Sequence, residues 1–467
     1  MRRHRGYVFA SLSSGVLAAW LAIACSSAPE QRTSFDEQDT GTGPNLPPVN
    51  DASAEVAPAV DARPPFDPKE ETVTCTANPC VKDLVAGDDH FCALLSDGTV
   101  KCWGDDKLVA VVAGLSGVTQ ISAGGRTTCA IGNSGTGDAG TSGVHCWGGN
   151  EKGELGLTID PPTFDADPHP DPTPVALADL AIGSIARVDV GHGSVCATAT
   201  NGKVACWGNE HREQLANKPY DEFEMDPYRG PAIANISPLS PTRTLVGGAT
   251  TYGLTSNGEV WSWGAIAGAD GTASGRVSSV SPDSKPSRVL SLSDVKSLAV
   301  SGIVFPPAPD VPGFPPPPPP PRAHACALAG SGEVYCWGRS YTGALCTGLP
   351  DHEQTPRHAP VLAKHWPQQL AVADEITCAR MTDGTVQCCG SDAKGKLGTG
   401  TVGLYSPNFR PASAFTGYAV RVATSNDAVC ALVQGGSVEC WGSNKKNQLG
   451  QVKADDADHS TPLKVVF

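Results

Sequence analysis

The residues with the most chemistry in this 467-residue chain are its seventeen cysteines, and most of them stand in pairs ten residues apart. Cys92 and Cys102 bound the string CALLSDGTVKC, and Trp103 and Gly104 follow at once. The same unit recurs at Cys196 and Cys206, Cys326 and Cys336, Cys378 and Cys388, and Cys430 and Cys440, while Cys129 and Cys146 enclose a longer turn. Paired cysteines suit either zinc or a disulfide. Zinc sites draw on a close knuckle of two cysteines with two residues between them, and this spacing lacks it, so no metal is expected. The turn within each unit argues for the bridge. In six copies a glycine lies six residues after the first signature position: Gly98, Gly202, Gly258, Gly332, Gly384 and Gly436. Three-residue hairpin loops place their last residue in the left-handed region, which glycine enters without strain. Counted back from such a loop, the two cysteines face each other across an antiparallel pair, within reach of a disulfide.

A fourth unit acts as an internal control, because both positions change together, to Tyr252 and Ser262. Cys75 and Cys80, in CTANPC, make a further pair that closes a small loop before the first unit. Cys346 and Cys389 are left over; whether they pair between neighbouring repeats, the sequence leaves open. Bridges in this number imply an oxidising compartment.

Other reactive patterns fail on inspection. GSDAKGKL, Gly390 to Leu397, approximates a phosphate-binding loop, but Leu397 stands where a hydroxyl would hold magnesium. HEQTP at His352 lacks the second histidine of a zinc-protease helix. No Gly-x-Ser-x-Gly elbow occurs. No catalytic residue and no cofactor are expected.

The elements that hold these cysteines are short strands in seven copies of one hairpin, and hence a repeat protein. Gly and Pro make up 52 and 40 residues, but apolar strands interrupt them regularly, which argues against general disorder. The formal charge is −14, and removal of residues 1–24, with Arg2, Arg3 and Arg5, takes it to −17. Phosphate binding needs a basic face, so nucleic acid is excluded, and the balance favours cationic partners.

The N-terminus carries Arg2, Arg3, His4 and Arg5, then an apolar stretch ending in LAIAC. This resembles a bacterial lipoprotein signal over residues 1–24, with Cys25 as the lipid attachment site. Three acyl chains, as such lipoproteins carry, would hold the chain firmly, each buried methylene adding about 0.8 kcal/mol. The absence of Asp after Cys25 points, by the same resemblance, to the outer membrane or cell surface. Residues 25–80 are rich in Pro, Asp, Glu, Ala and Thr and read as a disordered tether. Two insertions interrupt the later repeats: Gly132 to Gly143, a flexible turn, and the proline run Pro315 to Pro321, a polyproline II spacer or docking rod.

After the hairpin several copies continue with a tail: GGNEKGELG from Gly148, GSDAKGKLG from Gly390 and GSNKKNQLG from Gly442. The combined string of valine-rich strand, Gly, xxHxxAL, DGxVyxWG and NxxGQLG resembles the repeat of the regulator of chromosome condensation family across residues 81–467. The resemblance implies an all-β, seven-bladed β-propeller with disulfide-bridged hairpins. Blade 1 lacks the tail after Trp103, which leaves its outer strand unassigned, and the terminal TPLKVVF resembles an outer strand that completes the ring. The repeat tryptophans, Trp103, Trp147, Trp207, Trp263, Trp337 and Trp441, are expected in the core between blades, and His90 and His324 are expected to bond within a blade.

Nucleotide exchange on a small GTPase, the family's best-known activity, does not suit an acidic chain in an oxidising compartment. A family propeller that inhibits a secreted β-lactamase implies that extracytoplasmic members can be protein inhibitors. The expected function is a monomeric, non-catalytic envelope scaffold binding a protein or glycan, with the membrane touched through the lipid. An envelope hydrolase or lyase with its site at the propeller channel is the rival reading, and a secreted-enzyme inhibitor or structural envelope component a third.

Overall fold

Short runs of β-branched and aliphatic residues, each cut by a glycine turn, are too brief to bury a face alone and must stack in register. A computed structural model describes residues 72–134, 143–217, 227–247, 249–264, 274–277, 283–304, 321–349, 352–362 and 365–467. Among these, 28 strands form seven four-stranded antiparallel sheets, each made of four strands consecutive in the chain. The blades span residues 81–111, 115–174, 185–233, 243–288, 295–358, 367–411 and 419–464. The first strand of each blade lines a central channel, and the second and third form the signature hairpin. Residues 1–71, 135–142 and 305–320 lie outside the described set, and with them the signal segment, Cys25, most of the tether, most of the Gly132–Gly143 turn and Pro315–Pro320.

The hairpin register places Cys92 opposite Cys102, Cys129 opposite Cys146, Cys196 opposite Cys206, Cys326 opposite Cys336, Cys378 opposite Cys388 and Cys430 opposite Cys440. All six pairs are bridged, with Cα atoms 4.0–4.2 Å apart, the narrow spacing of a non-hydrogen-bonded pair. In the fourth blade Tyr252 lies opposite Ser262 in the same register. Gly98 has φ +80° and Gly436 +86°, the left-handed turn that the three-residue loop needs. Hairpin tips also reach the next blade: the carbonyls of Gly98, Gly258, Gly384 and Gly436 accept the backbone N–H of Val118, Val295, Ala419 and Val81.

Cys75 is bridged to Cys80, and residues 74–77 run along the last hairpin, with Thr74 and Thr76 donating to the carbonyls of Gln434 and Gly435. Cys346 is bridged to Cys389. That bond ties the tail of the fifth blade to the third strand of the sixth.

Blade 1 does have an outer strand, Lys107–Val111, which the missing tail had left unassigned. Asp105 and Asp106, at φ 51° and 64°, make a tight turn straight out of Gly104, so no tail is needed to reverse the chain. The C-terminal strand Asp458–Lys464 pairs within blade 7, while Phe467 meets Trp103 of blade 1 edge-on at 5.6 Å. The ring therefore closes through side chains and hairpin tips, with no strand exchanged between its first and last blades.

On the loop-entropy relation the 43-residue Cys346–Cys389 loop stabilises by about 4 kcal/mol and a ten-residue hairpin loop by about 2.7 kcal/mol. Denaturant unfolding should therefore show a larger loss for Cys346→Ser with Cys389→Ser than for Cys378→Ser with Cys388→Ser. The double change Cys346→Gly with Cys389→Trp, which restores the repeat's own residues, should recover much of the loss.

Candidate functional site

The tail after four of the hairpins is a side-chain-capped loop. Its first polar residue turns back to accept the N–H of the leucine five positions on: Asn150 Oδ1 from Leu155 at 3.2 Å, Glu210 Oε2 from Leu215 at 3.0 Å, Asp392 Oδ1 from Leu397 at 3.0 Å, and Asn444 Oδ1 from Leu449 at 3.3 Å. The loop pushes that leucine into the joint with the following blade, where Leu155, Leu215, Leu345 and Leu449 are fully buried. The carbonyl just before the leucine then accepts the indole N–H of the next blade's tryptophan. Glu154 O receives Trp207 at 2.7 Å, Gln214 O Trp263 at 3.0 Å, Lys396 O Trp441 at 2.8 Å and Gln448 O Trp103 at 2.9 Å. At the joint from blade 5 to blade 6, the Cys346–Cys389 bridge stands in for the glycine and the tryptophan. The joint from blade 1 to blade 2 has no tail.

Histidine and threonine complete these joints. His324 Nε2 lies 2.9 Å from Thr377 Oγ1, whose hydroxyl donates to Ala344 O at 2.7 Å. His90 Nε2 lies 2.7 Å from Thr128 Oγ1. Both contacts cross from one blade to the next. The expectation of a bond within a blade is corrected, because the histidine sits on the second strand facing the neighbouring sheet. Burial drives His324 down to about 3 and also lowers His90, so both rings are neutral in the fold. The threonines were missed in the sequence, although a Thr preceding the second-strand cysteine in TTC and ITC was the available signal.

The channel, a cavity of about 890 Å³, has a small and apolar middle, including Val85, Ala123, Ala299, Ala371 and Ala423. Its mouth at the start of the first strands is basic: Arg187, Arg243, Lys296, Arg380 and Arg421 against Asp83, Asp189 and the Asp294 that pairs with Lys296. Asp189, 3% exposed in its side chain, is clamped between Arg187 at 3.0 Å and Arg243 at 3.1 Å. Asp83 pairs with Arg421 at 2.8 Å across the closing joint. Gln120 and Gln369 use both amide atoms to hold the backbone of Val188 and Val422 in the next blade, at 2.7–2.9 Å. The opposite mouth carries carboxylates, each met by a basic side chain. Asp88 meets His192 at 3.3 Å, and Arg322 meets Asp374 at 2.6 Å and Glu375 at 3.2 Å. Burial raises the Asp88 carboxyl, but the His192 hydrogen bond and charge outweigh it and hold it below the usual range. A Cβ at Gly302 would meet His192 Cβ at 2.8 Å, so the ring crossing this mouth requires glycine there. Among the described residues no group of three His, Cys, Asp or Glu could hold a metal.

The sequence model described as "Regulator of chromosome condensation (RCC1) repeat" matches residues 81–107 and 118–154. A chain in the structure of Kap60 bound to yeast RCC1 (Prp20) superposes with a TM-score of 0.61, 15% identity, and coverage of 85% of this chain and 88% of that one. Those two segments match this repeat, and they lie in a ring of seven four-stranded blades. Human WBSCR16 superposes with the same TM-score of 0.61 at 19% identity, covering 77% of this chain and 85% of that one. At these identities both likenesses concern the fold alone. In sequence, the ultraviolet-B receptor UVR8 of Arabidopsis thaliana is 30% identical over 147 residues, 31% of this chain and 32% of the receptor. The E3 ubiquitin-protein ligase HERC2 of Homo sapiens is 26% identical over 213 residues, 45% of this chain and 4% of the ligase. The matches thus span a third or less of these curated relatives.

The buried neutral His324 gives a signed pH dependence. In the unfolded chain the ring titrates near 6.5 and in the fold near 3, so stability is full above pH 6.5 and is lost as pH falls toward 3. The slope from this group is up to about 1.4 kcal/mol per pH unit. Urea midpoints between pH 7 and pH 4.5 should fall less steeply in His324→Gln than in the parent chain.

Proposed function

We propose that this protein is a lipid-anchored scaffold of the bacterial cell envelope that binds a partner protein at the basic mouth of its propeller channel. Residues 1–24 direct export, Cys25 carries the lipid, the tether runs from there to residue 71, and residues 72–80, expected as its end, are instead docked on the last hairpin of the propeller formed by residues 81–467. The LAIAC sequence supports the anchor, and eight bridges among the remaining cysteines support an oxidising compartment.

The observation that carries the binding reading is the local reversal of charge. A chain of net charge −14 gathers Arg187, Arg243, Lys296, Arg380 and Arg421 around one opening. Low-dielectric walls focus that field on whatever approaches, so the favoured partner presents an acidic segment, despite the acidic total. A rigid ring supports such recognition, since little ordering cost is added on binding. In the structure of Kap60 bound to yeast RCC1 (Prp20) a related propeller is captured with another protein, which favours a protein partner here. The reading assigns no catalytic step: the channel carboxylates Asp83, Asp88, Asp189 and Asp374 are each engaged by a basic side chain.

The anchor is tested by fractionation, where Cys25→Ser should move the protein from the membrane to the soluble fraction. For the channel, detergent-solubilised envelope is passed over the mature chain. A discrete protein should be retained, with retention weakened by salt and by Arg187→Gln and Lys296→Gln, each by roughly twofold to fivefold. Equal capture by parent and variant would overturn the assignment to this mouth, and retention that survives protease treatment of the extract would assign the partner to glycan.

A further inference from the structure

The joint between blades 1 and 2 differs from its neighbours by an omission. Blade 1 turns from Gly104 through Asp105 and Asp106 directly into Lys107–Val111, so no leucine and no carbonyl are delivered to blade 2. The receiving groups on blade 2 are nevertheless in place. Thr128 pairs with Trp147 in the hairpin register in which Thr251 pairs with Trp263. At blade 4 those two side chains converge on one acceptor, with Thr251 Oγ1–H and Trp263 Nε1–H both donating to Gln214 O, at 2.6 and 3.0 Å. At blade 2 the Trp147 indole N–H has no acceptor among the described residues. Thr128, 1% exposed, lies beside His90 Nε2 at 2.7 Å and the Cys92 sulfur at 3.7 Å. This repeats the arrangement of Thr377 with His324 and Cys326, where the threonine proton goes to a tail carbonyl.

The missing tail leaves space. A cavity of about 310 Å³ opens here, within the size range of small-ligand sites. Thr128 and Trp147 line it, and Leu108 and Val111 of the short outer strand, each 57% exposed, form an apolar wall. Charged residues, among them Asp105, Lys107, Arg126 and Glu151, also line the recess, so two donors beside one apolar wall suit a carbonyl oxygen next to an aliphatic side chain. The same molecule fills four other joints with that combination, as in Gln214–Leu215 and Gln448–Leu449.

We propose that the joint between blades 1 and 2 is a peptide-binding site, taking a leucine-bearing turn of a partner protein whose backbone carbonyl is received by Thr128 Oγ1–H and Trp147 Nε1–H. The partner's leucine occupies the place that Leu155, Leu215, Leu345, Leu397 and Leu449 occupy at five other joints. The incoming turn completes a joint the chain leaves unfinished, as an added strand completes an open sheet edge. This goes beyond the channel reading and uses a different surface.

The test is titration of the full mature chain with the octapeptide Asn-Lys-Lys-Asn-Gln-Leu-Gly-Gln, the sequence of residues 444–451. Calorimetry and the indole N–H resonance absent from Trp147→Phe are the readouts. Saturable binding that shifts this resonance is expected, with at least about tenfold weaker binding when the peptide's leucine is replaced by alanine. Trp147→Phe should weaken binding by about threefold to tenfold through the lost donor. Leu108→Glu, a change at an exposed position that leaves the fold intact, should weaken it as well. Absence of saturable binding, or binding indifferent to the peptide's leucine or to both Leu108→Glu and Trp147→Phe, overturns the proposal. So does a pocket already filled by residues 25–71 or by a second copy, since the peptide would then find no place. The titration involves no envelope component, so its failure leaves the channel reading standing, and failed capture from the envelope leaves this one.

Discussion

A four-stranded blade cannot bury both of its faces, and everything in this molecule follows from how one blade covers the next. The recurring solution is a leucine and a carbonyl delivered together. Burying the leucine contributes about 1.5–3 kcal/mol, and the indole bond to the adjacent carbonyl adds about 1 kcal/mol while leaving no polar group stranded. Because one loop supplies both, the apolar and polar requirements of a joint are met in a single register. The capping residue at the start of each tail, Asn150, Glu210, Asp392 or Asn444, fixes that register by holding the leucine's own N–H.

Disulfides and joints divide the work of holding the ring. Six bridges staple hairpins internally and make no covalent link between blades. Cys346–Cys389 is the exception, where a covalent bond replaces the glycine–tryptophan contact made by Gly156 with Trp207, Gly398 with Trp441 and Gly450 with Trp103. Where the hairpin bridge is absent, Tyr252 turns its ring to Trp337 at 6.0 Å, and Arg276 binds Ser262 Oγ at 2.9 Å. The joint thus gains aromatic packing where the hairpin loses its staple.

Charge is arranged with the same locality. Equivalent first-strand positions meet at one end of the channel, so Arg187, Arg243 and Arg421 become neighbours although the chain separates them by scores of residues. At the other end His192 reaches from blade 3 to Asp88 of blade 1 and narrows the opening. A sum over the chain is blind to such a division, because the field at a cleft is set by the charges lining it.

Much of the architecture was legible in the residues. The ten-residue spacing, the glycine turn and the paired change to Tyr252 and Ser262 identify a hairpin and its register, since both are set by local backbone geometry within about a dozen residues. The tail motif was equally visible, and its absence after Trp103 could be counted. What that absence produces was not, because the groups that would receive a tail, Thr128 and Trp147, belong to the following repeat and are brought to Leu108 and Val111 only when the sheets stack. The same holds for the Cys346–Cys389 bond, the crossing of His90 to Thr128, and the basic channel mouth. Local pattern determined each blade; contacts between blades, made between distant positions by the closing of the ring, decided where its polar groups and the tail-less joint of blades 1 and 2 would lie.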